Sequence, residues 1–432
     1  VVGIACLVAA LSAALVAAAG PRFYADDPLL VEPETQDAAK VAPRDIDLIW
    51  DLGYQLIAKP GDPQLGQRAR NVNTIDEVPD SSWFTNRLLR QPLSAADVAR
   101  GPLQGEGPAP GPWTVTHPKS SGFAPGFRIR DARGGVFFVS LDPQGFDESA
   151  TGALAVANKL FWALGYWQVE NFLVRFRAED LRLAPTARIR APSGRQRPMR
   201  QDDLDAVLAR AARQPDGHYR AIAARGLSGS IVGGFRFDGT RPDDPNDVVP
   251  HEHRRELRAL KVFGAWLNLV DMKAGNTLDT VLPGADGTRR VRHYLQDVGS
   301  TLGTGANGPR EYDEGWEAIV DLPATLKRLF TLGLYLRPWQ TVRYDESPSV
   351  GRFEGEVFDP VRWSPRVPPA ALRHARADDT FWAARRVAAV TDAMIRAAVR
   401  SGGYSAPKAE AHLAEVLILR RDAIARAYLP AI

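Results

Sequence analysis

Between Thr277 and Gln296 the chain reads "TLDTVL", then "PGADGT", then "RRVRHYLQ". Two runs rich in β-branched and aromatic residues around a Pro, Gly and Asp turn make a β-hairpin. No feature of the sequence constrains the fold more, because an antiparallel pair returns the chain to the place it left. The segment "NLVDMKAGN" that enters the hairpin must therefore lie beside the segment "QDVGSTLG" that leaves it. The first carries Asp271, Lys273 and Asn276, and Asp297 opens the second. Upstream, Leu260, Phe263, Leu267 and Val270 share one stripe of a helix expected from Glu256 to Val270, which sets where the first polar loop begins.

Toward the N-terminus the pattern is of strands. "WTVTH", "FRIRD" and "VFFVSLD" are strands, the last two joined by a turn at Ala132 to Gly135. "ESATGALAVANKLFWALGY" places Leu154, Ala157, Leu160, Phe161 and Leu164 at helical spacing and stops at Gly165; "VENFLVRF" then returns as a strand. The expected class is α+β: a small β-rich lobe with one helix, then a larger, mainly helical lobe. "GPLQGEGPAPGP" is too rich in Gly and Pro for a helix or strand interior and marks a boundary. The expected organisation is 1–19 an export segment, 20–112 an extension and linker, 113–183 the β-rich lobe, 184–250 an insertion, and 251–432 the helical lobe. The five arginines from Arg188 to Arg200 read as solvated loop charge. Asp76, Glu77 and Asp80 read as a capped loop that docks Trp83 and Phe84 on the core. After Leu322 the chain is mostly helical, with amphipathic runs at "FWAARRVAAVTDAMIRAAV" and "AEAHLAEVLILRRDAIARAYL".

Composition excludes some partners. Lys and Arg number 54 against 51 Asp and Glu, a net +3 that calls for no nucleic acid. Residues 1–19, "VVGIACLVAALSAALVAAA", carry no charge and match either a cleaved secretory signal or a retained membrane anchor. The chain is expected to be exported, periplasmic or membrane-anchored. The single cysteine, Cys6, lies in that segment, so the rest of the chain has no disulfide and no thiolate metal site.

Phosphoryl transfer needs an acid near the acceptor hydroxyl and oxygen ligands for a divalent cation that bridges the phosphates. Asp271, Asn276 and Asp297 supply those oxygens, and the hairpin lets them converge. "DMKAGN" and "QDVGS", in the order helix, D-x-K-x-x-N, hairpin, D-x-G after a β-rich lobe with one helix, resemble the catalytic and metal loops of the protein-kinase-like superfamily. The resemblance implies a bilobal fold, an ATP site, Asp271 as base or hydroxyl-orienting acid, Lys273 steadying the transferred phosphoryl, and Asn276 and Asp297 holding Mg²⁺ or Mn²⁺. Leu269 and Val270 stand where His and Arg usually precede the Asp, so the chain is more similar to divergent bacterial and secreted kinases. "GTRPDDPNDVVPHEHRRELRAL" and "DEVPDSSWFTNR" also resemble a group of exported bacterial proteins. The resemblance further implies a Lys on the strand before the lobe's helix and a Glu on that helix. Here Ser140 occupies the strand position, Leu154 or Ala157 the inward stripe, and the nearest acid, Glu148, the helix start. Lys119, in the loop "KSSGFAPG" with Gly122 and Gly126, is the candidate to neutralise the phosphates instead; Lys159 serves only if the helix is rotated.

Two other readings stand beside the kinase-like one. The absent lysine fits an inactive, pseudokinase-type binding or scaffold protein of the cell envelope. His251, Glu252, His253 and Glu256 in "PHEHRREL" suggest a metal-dependent hydrolase, although the H-E-x-x-H spacing is missing and His251 and His253 diverge by about 200° on a helix. His293 reads as a satisfied strand residue. The phosphoacceptor is not legible.

Overall fold

The computed structural model describes residues 34–90, 92–119, 124–190, 195–284, 286–344 and 347–430. The expectations for residues 1–19 and for Gly122 lie outside these. Short helices precede the sheet, among them α1 (Leu48–Gly53) and α2 (Ala95–Arg100). The strands β1 (Trp113–Pro118), β2 (Gly126–Arg130) and β3 (Val136–Leu141) form an antiparallel meander. Alternate burial along β3, with Phe137, Val139 and Leu141 inward and Phe138 out, is the period-two pattern of a strand with one packed face. Helix α3 (Ser149–Leu164) comes next and ends at Gly165 as the sequence indicates.

After β4 (Asn171–Phe176) and β5 (Leu181–Leu183), the small hairpin β6 (Arg188–Arg190) and β7 (Gln196–Pro198) and helix α4 (Gln201–Leu208) lead to β8 (Tyr219–Arg225). The sheet order is β4-β8-β3-β2-β1-β5. The 184–250 segment, expected as an insertion, contributes to this sheet. Its strand β8 lies between β3 and β4, and its helix α4 packs Leu204, Val207 and Leu208 onto the sheet. "YRAIAAR" is short and alanine-rich, so its strand character comes from pairing on both edges and not from local propensity.

Beyond the sheet, β9 (Ser230–Gly233) pairs with β10 (Thr277–Pro283), which pairs in turn with β11 (Arg289–Leu295). This is the hairpin expected from sequence, with one strand added at its edge. The helix expected from Glu256 to Val270 is interrupted: one turn spans Arg255–Arg258 and α5 spans Leu260–Leu267. The stripe Leu260, Phe263, Leu267 and Val270 is buried all the same. Helix α6 (Leu322–Phe330) is next along the chain, then α7 (Ala377–Ala388), α8 (Asp392–Arg400) and α9 (Pro407–Tyr428). The run "FWAARRVAAVTDAMIRAAV" splits at Ala389 because Thr391 caps α8, its hydroxyl accepting from Met394 N.

As expected, the chain is α+β, with a β-rich sheet followed by a mainly helical C-terminal region, and its core falls into separate clusters. The sheet and α4 share one cluster. Helix α3, though it belongs to the sheet lobe in sequence, lies in the larger cluster with α5, α7, α8 and α9, through Ala153, Val156, Leu160, Phe161 and Leu164. Trp83 and Phe84 enter that same core, as the capped-loop reading of residues 71–87 requires, and Glu77 accepts from Trp382 Nε1 at 2.8 Å.

Candidate functional site

Helix α5 stops because Asn268 takes a left-handed conformation, φ 53°, its N–H still directed at the helix carbonyls. Its Oδ1 accepts from Trp363 Nε1 at 2.8 Å, which fixes the exit direction. The chain then runs with period two. Val270, Met272 and Ala274 turn inward, whereas Asp271, Lys273 and Gly275 turn outward. Residues two apart in such a run share a face, and Lys273 Nζ meets Asp271 Oδ2 at 2.8 Å.

The hairpin closes the loop. The N–H groups of Gln296 and Asp297 both donate to the Asn276 carbonyl, at 3.1 and 3.0 Å. Asn276 Nδ2 donates to the Asp271 carbonyl at 2.7 Å, so its amide is oriented and its Oδ1 is left uncommitted. Asp297 is exposed and its Oδ1 accepts from Gly299 N at 3.1 Å. Asp271, Lys273, Asn276 and Asp297 thus lie on adjoining stretches of backbone. An oriented amide oxygen and an exposed carboxylate on adjoining backbone fit the donor set of Mg²⁺ or Mn²⁺.

On the sheet side, Gly126 is the cross-strand partner of Ser140. A Cβ at Gly126 would collide with the Val139 carbonyl oxygen, so only glycine fits there. Lys119 N donates to the Gly126 carbonyl at 3.0 Å, and the Lys119 stem lies against the glycine, with Cδ 3.4 Å from the site of that absent Cβ. The exposed Lys119 therefore stands next to the strand neighbour of Ser140. Lys159 sits elsewhere: it is buried, packs its stem on Gly101 beyond α2, and burial pushes its ammonium down to about 8.

A buried cation that local pattern does not single out lies on β8. Arg220 Nε donates to Thr151 Oγ1 at 2.8 Å, and its two terminal nitrogens donate to the carbonyls of Gly402 and Gly403. Glu148 lies 3.6 Å away and Asp142 4.0 Å. Asp142 also caps α3, accepting from Glu148 N, Thr151 N and Thr151 Oγ1. Burial pushes its carboxyl up to about 6 in spite of those donors. The acid and base expected on α3 and β3 thus have a counterpart at the start of α3 and on β8, but its donors are engaged in joining the sheet to the 402–405 loop. The one signal in the sequence is an arginine inside the apolar run "YRAIAAR".

The 20–112 segment also reaches the site. Leu48 of α1 occupies the space over Gly275 where a side chain would sit, and the buried Asp51 lies 3.2 Å from Arg236 Nε. The four residues of "PHEHRREL" are each engaged by neighbouring residues. His251 meets Asp247 and the Arg236 carbonyl, Glu252 accepts from Asp62 N and Gly239 N, His253 meets Asp62 and Arg258, and Glu256 accepts from Asn71 Nδ2. Among the described residues no group of three or more His, Cys, Asp and Glu is placed to hold a metal. His293 Nδ1 donates to Asp279 Oδ1 at 2.8 Å and the ring stacks on Trp83 at 3.5 Å between centroids, a satisfied strand residue as expected.

No protein-family model matches the sequence, and no curated protein is similar to it. Among solved structures, the Helicobacter pylori proinflammatory kinase CtkA matches with a TM-score of 0.37 at 10% identity, over 73% of this chain and 94% of that one. The Golgi casein kinase matches with a TM-score of 0.37 at 8% identity, over 94% of this chain and 95% of that one. Its form with Mn/ADP bound matches with a TM-score of 0.35 at 9% identity, over 94% and 96%.

Proposed function

We propose that the chain binds a nucleoside triphosphate, ATP, with Mg²⁺ or Mn²⁺ and transfers its terminal phosphoryl group to an acceptor hydroxyl. The observation that carries this reading is the pair of hydrogen bonds from Gln296 and Asp297 N–H to the Asn276 carbonyl, which join the two polar loops. Asn276 Oδ1 and the Asp297 carboxylate hold the cation. When bound, that ion offsets the charge on the phosphate oxygens. Lys119 neutralises the phosphates from the β1–β2 connection, where Gly126 lets the backbone approach. Asp271 orients the acceptor hydroxyl and takes its proton as the new oxygen–phosphorus bond forms and the bond to the leaving diphosphate breaks. Lys273, already paired with Asp271, steadies the transferred group. Export through residues 1–19 would put this chemistry in the periplasm or at the membrane.

Ser140 favours a second reading, a nucleotide-binding scaffold without transfer. Thermal shift and turnover separate the two. At nucleotide near 100 times Kd, Mg²⁺-ATP should stabilise the chain by about 2.7 kcal/mol, and Asp297→Ala should abolish the gain. Stabilisation with no transfer or hydrolysis above the Asp271→Ala background would leave the scaffold; the absence of any stabilisation would remove the nucleotide site.

A further inference from the structure

Helix α6 has no buried residue. Leu322, Leu326, Leu329 and Phe330 fall on an arc of about 100° of the helix, at the i, i+4, i+7, i+8 spacing of an apolar stripe. Lys327 and Arg328 lie outside that arc. Past the helix, Leu332, Leu334 and Leu336 continue the display, and Leu332 is 91% and Phe330 81% exposed. A nine-residue helix is too short to be stable alone in water, so a face like this needs a partner.

Charge indicates which one. From Leu322 to Tyr344 the chain has four cations, Lys327, Arg328, Arg337 and Arg343, and no acid. Of the acids just upstream, Asp313 pairs with Arg366, Glu314 with Arg310, and Glu317 with Arg337, while Asp321 caps α6 and Glu311 is exposed. Lys327 lies 4.1 Å from the Tyr335 ring centroid, and Arg328 and Arg343 are exposed. A second copy of the chain would bring these like charges together. A partner helix needs a groove, whereas a segment with nothing buried offers only projecting tips. Leucine tips flanked by cations suit the acyl–headgroup zone of an anionic bilayer.

We infer that residues 322–336 seat on an anionic lipid surface. The segment is rooted beside the candidate site: Ile319 N donates to the Arg366 carbonyl, and Arg366 N to the Val270 carbonyl, next to Asp271. The inference does not depend on phosphoryl transfer.

Hydrogen exchange on the full chain tests it, because the readout is confined to this segment even if residues 1–19 also meet lipid. Vesicles containing phosphatidylglycerol should slow exchange in residues 322–336 about tenfold or more. Phosphatidylcholine vesicles, or roughly 0.5 M salt, should give much less protection. Leu326→Asp with Leu329→Asp should remove the protection while leaving exchange elsewhere unchanged, which controls for folding. Unchanged exchange in 322–336 with anionic vesicles would overturn the inference. So would equal protection by neutral vesicles, or protection that grows with protein concentration in the absence of lipid.

Discussion

Replacing Arg220 with methionine tests whether the start of α3 is locked to the helical lobe by charge. The side chain is 4% exposed and spans two units: Thr151 on one side, the carbonyls of Gly402 and Gly403 on the other. Methionine keeps most of the volume, so the packing loss is small. The donors are lost, and Asp142 and Glu148 stay buried without the cation that lay 4.0 and 3.6 Å from them. Removing one partner of a buried ion pair costs about 3–5 kcal/mol. The pH dependence has a definite sign. Burial raises Asp142 to about 6 from an ordinary 3.8, with Arg220 pulling it down. A carboxyl held above its unfolded value costs nothing below about pH 4 and its full penalty above its folded value, here about 3 kcal/mol at 1.36 kcal/mol per pH unit. Without Arg220 that carboxyl rises further. The variant's deficit should therefore be largest near pH 7.5 and shrink at pH 5, where the folded variant holds Asp142 protonated. Urea unfolding followed by tryptophan fluorescence at the two pH values measures it. A deficit below about 1 kcal/mol at pH 7.5, or one equally large at both, would refute the reasoning.

Lys119→Met should weaken nucleotide binding about tenfold without changing the melting temperature of the free chain, as calorimetric titration would read. Asp271→Ala should leave that binding intact and lower turnover by roughly 10² to 10⁴, so equal losses in binding and turnover would count against its role. Gly126→Ala should destabilise the chain by about 1–3 kcal/mol, because the new Cβ meets the Val139 carbonyl oxygen and must part β2 from β3; an unchanged melting temperature would show that the strands yield. Thr391→Ala should cost about 1 kcal/mol through loss of the α8 cap, measurable as faster amide exchange in the first turn of that helix.

Local pattern was enough to read β1 to β4, the β10–β11 hairpin, α3 and the loop that carries Asp271, Lys273 and Asn276. Those elements have strong periodicity or turn chemistry, and an antiparallel hairpin has a single geometric outcome, so the approach of Asp297 to Asn276 came from sequence. Elements whose identity depends on distant partners were not legible. Strand β8 takes its place from β3 and β4, and nothing in "YRAIAAR" announces that. Helix α3 reads as an element of the β-rich lobe, yet its buried residues pack with α5 and the C-terminal helices, because an apolar face seeks the largest available core whatever its place in the chain. The packing of Leu48 on Gly275 joins residues more than two hundred positions apart, beyond any periodicity. The sequence by itself determined which polar residues gather at the hairpin's base, since register and turn length are local. Only the tertiary structure decided how the candidate cations Lys119, Lys159 and Arg220 are engaged, because their partners are set by how the strands and helix pack and not by local sequence.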